Sequence, residues 1–243
     1  MSSFNKIIYK MEAIILSGGF GKRLQGVVKN VPKPMADING RPFLSYLFDY
    51  LSDKDVNKVL LSVGYKYEVI KNYFGLKYGN LDIEYIIENE PLGTGGALRE
   101  SLKKASGNNV IVLNGDTFFN IDLKKMVDFH FTHNSIITIA VKPMYNFDRY
   151  GTVRLEKDRI VGFKEKSFRD FGYINGGVYM VSKKISEYLK GYNNSFSFEV
   201  DFLQRNMNKL KISAFICDDY FIDIGIPEDY ERAQKELSQI FKK

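Results

Sequence analysis

The chain has 243 residues, 44% hydrophobic and 26% charged, enough apolar material for one large α/β domain or two small ones, with no low-complexity tail. Its net charge of +6 and pI of about 9.1 fit an anionic partner without naming one, and the lysines are too dispersed to form a nucleic-acid arm. No apolar run approaches the roughly 20 residues that span a bilayer, the N-terminus is too polar for a secretory signal, and the single cysteine, Cys217, excludes an internal disulfide and points to a reducing cytoplasm.

Residues 1–10 carry no identifiable chemistry. The first strong element is EAIILSGG (12–19), an apolar run ending in glycines, which reads as a buried strand feeding a tight loop. A helix over 41–52, a strand over 57–65, a helix over 65–74 and a strand over 81–89 follow. GTGGALRESLKKA (93–105) predicts a helix that begins at glycines, and NNVIVLNGD (108–116) a strand that ends in an acid. A helix over 122–134 and a strand over 135–143 complete the first half. Strands alternating with helices imply a parallel sheet covered on both faces, with ligands beyond the carboxyl ends of the strands. The loops after Ser17 and Asn89 and the acid after Gly115 then meet at one edge.

After Pro143 the pattern changes to a hairpin over 150–166, a glycine-interrupted strand over 172–182 and helical stretches over 185–192 and 197–210. Strands over 211–219 and 220–225 come next, and a closing helix starts at Pro227 with two acids in its first turn. The expected fold is α/β: a Rossmann-like three-layer αβα domain over 1–243 with a mostly parallel central sheet and a small additional β region. Residues 11–142 form a nucleotide-binding half and residues 143–243 a sugar-phosphate-binding half. His130 and His133, three apart on a helix with no acidic ligand nearby, are read as a helix-end or surface pair rather than a metal site.

Most of the chemistry lies in LSGGFGKRLQGVVKNVPKPM. Gly18, Gly19 and Gly21 let backbone N–H groups approach a phosphate closely, and Lys22, Arg23 and Lys33 add cationic donors, a combination suited to a triphosphate and a pyrophosphate leaving group. A P-loop is excluded because Leu16 occupies its first glycine position and Arg23 follows Lys22; a dinucleotide fingerprint is excluded by Leu24 at its third glycine position.

This loop resembles the GGxGTRLxxxTxxxPKxM signature of the sugar-1-phosphate nucleotidylyltransferases, with Gly18, Gly19, Gly21, Arg23, Leu24, Pro32, Lys33 and Met35 in register and Lys22 departing from the usual Thr. ENEPLGTGGAL is similar to the family's base-reading loop, where Gly93 and Thr94 open a helix and Glu88 or Glu90 faces the base. A carboxylate there suits guanine, which presents N1–H and N2–H side by side. VIVLNGD and FIDIGIPEDY resemble the two elements that carry the family's metal-binding aspartates, here Asp116 and Asp223, which implies Mg²⁺ as cofactor. The family's sugar-phosphate contacts correspond to Tyr150 and Gly151 in YGT, Glu165 and Lys166 in FKEK, Asn175 and Gly176 in INGGVY, and Glu199 in SFE.

The resemblance implies in-line attack of a sugar 1-phosphate oxygen on the α-phosphorus of an NTP, with no covalent enzyme intermediate. Arg23 and Lys33 are the expected catalytic cations, and Leu16, Gly18, Gly19, Gly21 and Lys22 the expected nucleotide cradle. Among subfamilies the chain looks most like the D-glycero-α-D-manno-heptose 1-phosphate guanylyltransferases, which serve bacterial surface polysaccharide pathways. Mannose-1-phosphate guanylyltransferases and amino-sugar 1-phosphate uridylyltransferases are the alternatives, and a catalytically silent nucleotide-binding regulator is the alternative from a different class. The implied partners are GTP, or another NTP, and a sugar 1-phosphate, with no nucleic acid and no membrane; a homodimer is left open.

Overall fold

The computed structural model describes residues 11–19 and 31–241. Strand β1 (Met11–Ser17) is followed by the short strands β2 (Asp37–Ile38) and β3 (Arg41–Pro42), then by helix α1 (Phe43–Ser52). Pro42 precedes the first turn of α1, and Phe43, Leu44, Leu47, Phe48 and Leu51 bury one face of it. Strand β4 (Val56–Val63), helix α2 (Tyr67–Phe74), strands β5 (Lys77–Tyr78) and β6 (Leu81–Ile87), helix α3 (Gly93–Lys104) and strand β7 (Asn109–Asn114) complete the alternating half.

Beyond Gly115 the chain turns into β8 (Thr117–Phe119), helix α4 (Leu123–Thr132) and the long strand β9 (Ile137–Phe147). The hairpin β10 (Thr152–Glu156) and β11 (Arg159–Lys164) leads into β12 (Arg169–Ser182) and the short helix α5 (Ser186–Leu189). A π-helical turn, Phe198–Leu203, runs into α6 (Gln204–Asn206), and β13 (Ile212–Ile216), β14 (Phe221–Asp223) and α7 (Pro227–Ile240) close the chain. No helix among the described residues is long and apolar enough to cross a membrane.

Ten strands form one sheet in the order β10-β11-β13-β9-β12-β7-β1-β4-β6-β5. Successive β1 residues point to opposite faces: Ala13 and Ile15 enter a core with α1, α2, α4 and α7, whereas Ile14 enters a second core with α3, α5 and the π-helical turn. The architecture is thus three-layered, as the alternation implies.

The expectation of a mostly parallel sheet is corrected. The ladder from β7 through β1 and β4 to β6 is parallel, but β12 runs antiparallel to both β7 and β9, and β10, β11 and β5 also pair antiparallel, so the sheet is mixed. The reason is the connection. Strands β9 to β12 follow one another through short loops, and only a long crossover returns a chain parallel to itself. Strand β10 also pairs with β12, so the five strands β10, β11, β13, β9 and β12 close on themselves.

Candidate active site

The parallel ladder brings the carboxyl ends of β1 and β7 side by side, with Leu16 opposite Asn114 and Gly115 N donating to Leu16 O at 2.9 Å. A cavity of about 390 Å³ opens beyond them. Eight residues singled out from sequence line it: Leu16, Gly18, Gly19, Lys33, Glu88, Gly93, Thr94 and Asp116. Gly21, Lys22 and Arg23 lie outside the described residues.

Asp116 and Asp223, far apart in sequence, are joined by a two-stranded sheet. Strand β14 pairs antiparallel with β8, Asp223 opposite Thr117, and Ile224 N donates to Asp116 O at 3.0 Å. Lys33 reaches both acids, its Nζ lying 2.5 Å from Asp116 Oδ2 and 3.7 Å from Asp223 Oδ1. The lysine side chain is 9% exposed, while the two carboxylates are 37% and 27% exposed. Two accessible oxygen-donor side chains, Asp116 in the cavity wall and Asp223 beside it, therefore share one cation. Among the described residues no group of three or more metal-ligating side chains exists. Two carboxylates nevertheless fit magnesium, which is held by one or two carboxylates and completed by substrate phosphates and water.

At the other side of the cavity Gly93 has φ of +66°, and a Cβ there would lie 2.5 Å from Phe196 O, so the loop before α3 accepts only glycine without rearrangement. That contact ties α3 to the segment before the π-helical turn. Thr94 Oγ1 donates to Glu199 Oε2 at 2.7 Å, Tyr179 OH donates to Glu199 Oε1 at 3.0 Å, and Asn175 Nδ2 donates to Tyr179 OH at 2.8 Å. Thr94, Glu199 and Asn175 thus belong to one network whose centre, Tyr179, is fully buried. Burial, reinforced by the Glu199 charge, pushes this phenol well above its ordinary range, so it stays protonated and donates.

Glu88 and Glu90 separate. Glu88 lines the cavity, its Oε1 accepting from Ser62 Oγ at 2.8 Å and its Oε2 from Leu92 N at 3.2 Å, whereas Glu90 is exposed and not part of the wall. The Glu88 carboxylate packs directly over Gly18, where a Cβ would lie 2.1 Å from Oε1.

The remaining candidates do not line the cavity. Tyr150 packs edge-on against Phe221 at 5.8 Å, and burial, helped by the charges of Asp223 and Asp229, pushes it up to about 12. Beside it, Arg149 NH2 meets the buried Asp229 at 2.7 Å and ties this loop to the first turn of α7. Gly151 faces Lys164 O and Gly176 the Phe119 ring. Glu165 and Lys166 are exposed on the loop between β11 and β12.

Sequence reasoning missed Ser62 and Tyr179, and also Ser17 and Asn114, which line the cavity and carry buried oxygens without a hydrogen-bond partner. The available signal was a polar residue inside an apolar run, as in VLLSV and VIVLN.

Such a three-layer fold, with a glycine-edged cleft and facing carboxylates at its strand ends, is that of an α/β nucleotide-binding protein. Residues 12–240 match the family model described as nucleotidyl transferase, and the chain belongs to that family. It is 51% identical over 227 residues to D-glycero-alpha-D-manno-heptose 1-phosphate guanylyltransferase of Aneurinibacillus thermoaerophilus, covering 93% of this chain and 98% of that protein. To the Campylobacter jejuni protein of the same name it is 52% identical, covering 90% of this chain and 97% of the relative. The crystal structure of HddC from Yersinia pseudotuberculosis superposes with a TM-score of 0.83 at 39% identity, covering 93% of this chain and 99% of that one, and the same protein has been solved complexed with GMP-PN.

Proposed function

We propose that this enzyme transfers GMP from GTP to D-glycero-α-D-manno-heptose 1-phosphate, giving GDP-heptose and pyrophosphate. The observation that carries the reading is the Glu88 carboxylate in the cavity wall. Guanine presents N1–H and N2–H together, and one ionised carboxylate accepts both. Uracil offers one ring N–H between repelling carbonyls, and adenine and cytosine offer a lone pair where guanine has N1–H. Near-full-length similarity at about half identity to two heptose guanylyltransferases supports the choice of sugar. A place in the cytoplasm and in surface-polysaccharide heptose supply belongs to the same reading.

The chain divides its work between its two halves. The β1, β6 and α3 ends hold the nucleotide, with the Gly18 and Gly19 backbone at the phosphates and Glu88 at the base. Glu199 and Asn175, tied to the start of α3 through Thr94, and the loops of Tyr150 and Lys166 hold the sugar phosphate. Its oxygen attacks the α-phosphorus, and the bond to pyrophosphate breaks in line. The attacking phosphate is already anionic and needs no protein base, so the residues act by positioning and by charge. Lys33, 2.5 Å from Asp116, and Arg23 supply positive charge to the triphosphate. Asp116 and Asp223 would hold Mg²⁺, which when bound neutralises charge on the transferring phosphate.

The test is pyrophosphate release from a matrix of four NTPs against heptose, mannose and amino-sugar 1-phosphates. The expected maximum is GTP with the heptose phosphate. A maximum with mannose 1-phosphate or with UTP would replace the reading with the corresponding alternative.

A further inference from the structure

Strand β4 ends in the buried run VLLSV (59–63), and its one polar side chain, Ser62, is 0% exposed. A hydroxyl at that depth requires a partner. Ser62 finds another side chain, donating from Oγ to Glu88 Oε1 at 2.8 Å. The sheet register makes the reach possible. Ser62 lies between Leu16 of β1 and Ile86 of β6, and Glu88 follows Ile86 by two residues.

Glu88 is anchored at three points. Its N–H donates to Val63 O at 2.8 Å, its Oε1 takes the Ser62 hydroxyl, and its Oε2 takes Leu92 N–H at 3.2 Å. The Val63 and Leu92 contacts need only backbone atoms, so any residue at those two positions other than Pro at 92 could make them. The Ser62 contact depends on its side chain. A glutamate carries three rotatable bonds, and an unrestrained carboxylate at a cavity wall samples several orientations. The serine sits on a central strand of the sheet and has no such freedom. Among the described residues each carboxylate oxygen takes one protein donor, and a carboxylate oxygen with one donor keeps further acceptor capacity for a ligand.

We infer that Ser62 is a positioning residue for nucleobase selection: its hydroxyl locks the Glu88 carboxylate so that both oxygens face a base with two adjacent N–H donors. The inference rests on the reading of Glu88 as the base-recognising group.

Ser62→Ala removes the hydroxyl from a site where the smaller side chain fits. It should raise KM for GTP roughly tenfold, the worth of one hydrogen bond to a charged group, while kcat and KM for the sugar 1-phosphate move much less. The preference for GTP over UTP, dTTP, CTP and ATP should narrow by a similar factor. Ser62→Thr, which keeps the hydroxyl, should restore most of the loss. In a Glu88→Gln background, Ser62→Ala should have little further effect on selectivity, because the two residues act as a unit. Unchanged KM for GTP in Ser62→Ala, beside a clear effect of Glu88→Gln, overturns the role of Ser62 and leaves that of Glu88 standing. No effect of Glu88→Gln on base preference overturns both. Equal rises in KM for GTP and for the sugar phosphate reveal a general packing role and also overturn it.

Discussion

Asp223 stands directly opposite Thr117 in a two-stranded antiparallel sheet, so the residue before Thr117, Asp116, shares one edge with it. The pairing is reinforced by the Ile224 N to Asp116 O bond at 3.0 Å, and Lys33 closes the arrangement from the cavity side. Backbone hydrogen bonds hold the strand pair, so either carboxylate can be changed without dismantling it.

Asp116→Asn and Asp223→Asn should therefore fold normally and each lose at least about 10²-fold in turnover, since each removes charge from the proposed magnesium site. Steady-state rates at saturating Mg²⁺, with thermal unfolding as the control, decide it. Near-normal rates in both variants would remove these residues from the proposed metal site.

Tyr179→Phe deletes one oxygen from the middle of a buried network. Asn175 Nδ2 loses its acceptor and Glu199 Oε1 a donor. Leaving such groups unpaired costs about 1–3 kcal/mol, so the urea midpoint should fall accordingly. The KM for the sugar 1-phosphate should rise more than that for GTP, because Asn175 and Glu199 lie in the sugar-phosphate half of the proposed site. Equal shifts in both constants would separate the network from sugar binding.

The alternating half of the fold was legible because apolar runs such as AIILS and VLLSV mark buried strands whatever surrounds them. The direction of β12 was not, since its place between β7 and β9 depends on the short loops of the β9–β12 segment and on no pattern within GYINGGVYMVS itself. At the site, Lys33, Glu88, Thr94 and Asp116 could be nominated from motif register, and the structure brings them to one cavity. The partnership of Thr94 with Glu199 spans 105 residues and depends on the docking of α3 against the Phe196–Phe198 segment, where Gly95 N donates to Phe196 O and Phe198 N to Thr94 Oγ1, which no local spacing encodes. Ser62 was visible as an anomaly in an apolar strand, but its partner sits on a different strand's end.

His130 supplies a pH dependence unrelated to catalysis. It is 2% exposed, its ring nitrogens meeting Thr138 Oγ1 at 2.9 Å and Asn109 Oδ1 at 3.3 Å. Burial pushes it down to about 4, whereas the unfolded chain protonates near the ordinary value of about 6.5. Between these values the unfolded state binds more protons, so stability is complete above about pH 6.5 and is lost as pH falls toward about 4. At pH ~5 the loss should be about 2 kcal/mol. Urea unfolding at pH ~7.5 and ~5 should show this difference in the wild type and a smaller one in His130→Gln; equal pH slopes in the two proteins would reassign the effect.

Gly18 provides the most direct test of how the base pocket is built. A Cβ at this position would fall 2.1 Å from Glu88 Oε1 and 2.5 Å from its Cδ, distances no real pair of atoms tolerates. The obstructing group is the far end of a flexible side chain, so Gly18→Ala should move the carboxylate without unfolding the protein. That movement breaks the bonds from Ser62 Oγ and Leu92 N. The expected result is a KM for GTP raised by about tenfold or more, the worth of one hydrogen bond to a charged group or slightly above. Selectivity should fall with it, and KM for the sugar 1-phosphate should change little. Shortening the obstructing residue is the control. In a Glu88→Ala background there is no carboxylate to displace, so adding Gly18→Ala should change GTP binding by much less than it does in the wild type. If the alanine costs as much with Glu88 absent as with it present, the effect comes from the glycine-edged backbone approaching phosphate, and the packing of Glu88 on Gly18 is incidental to base recognition.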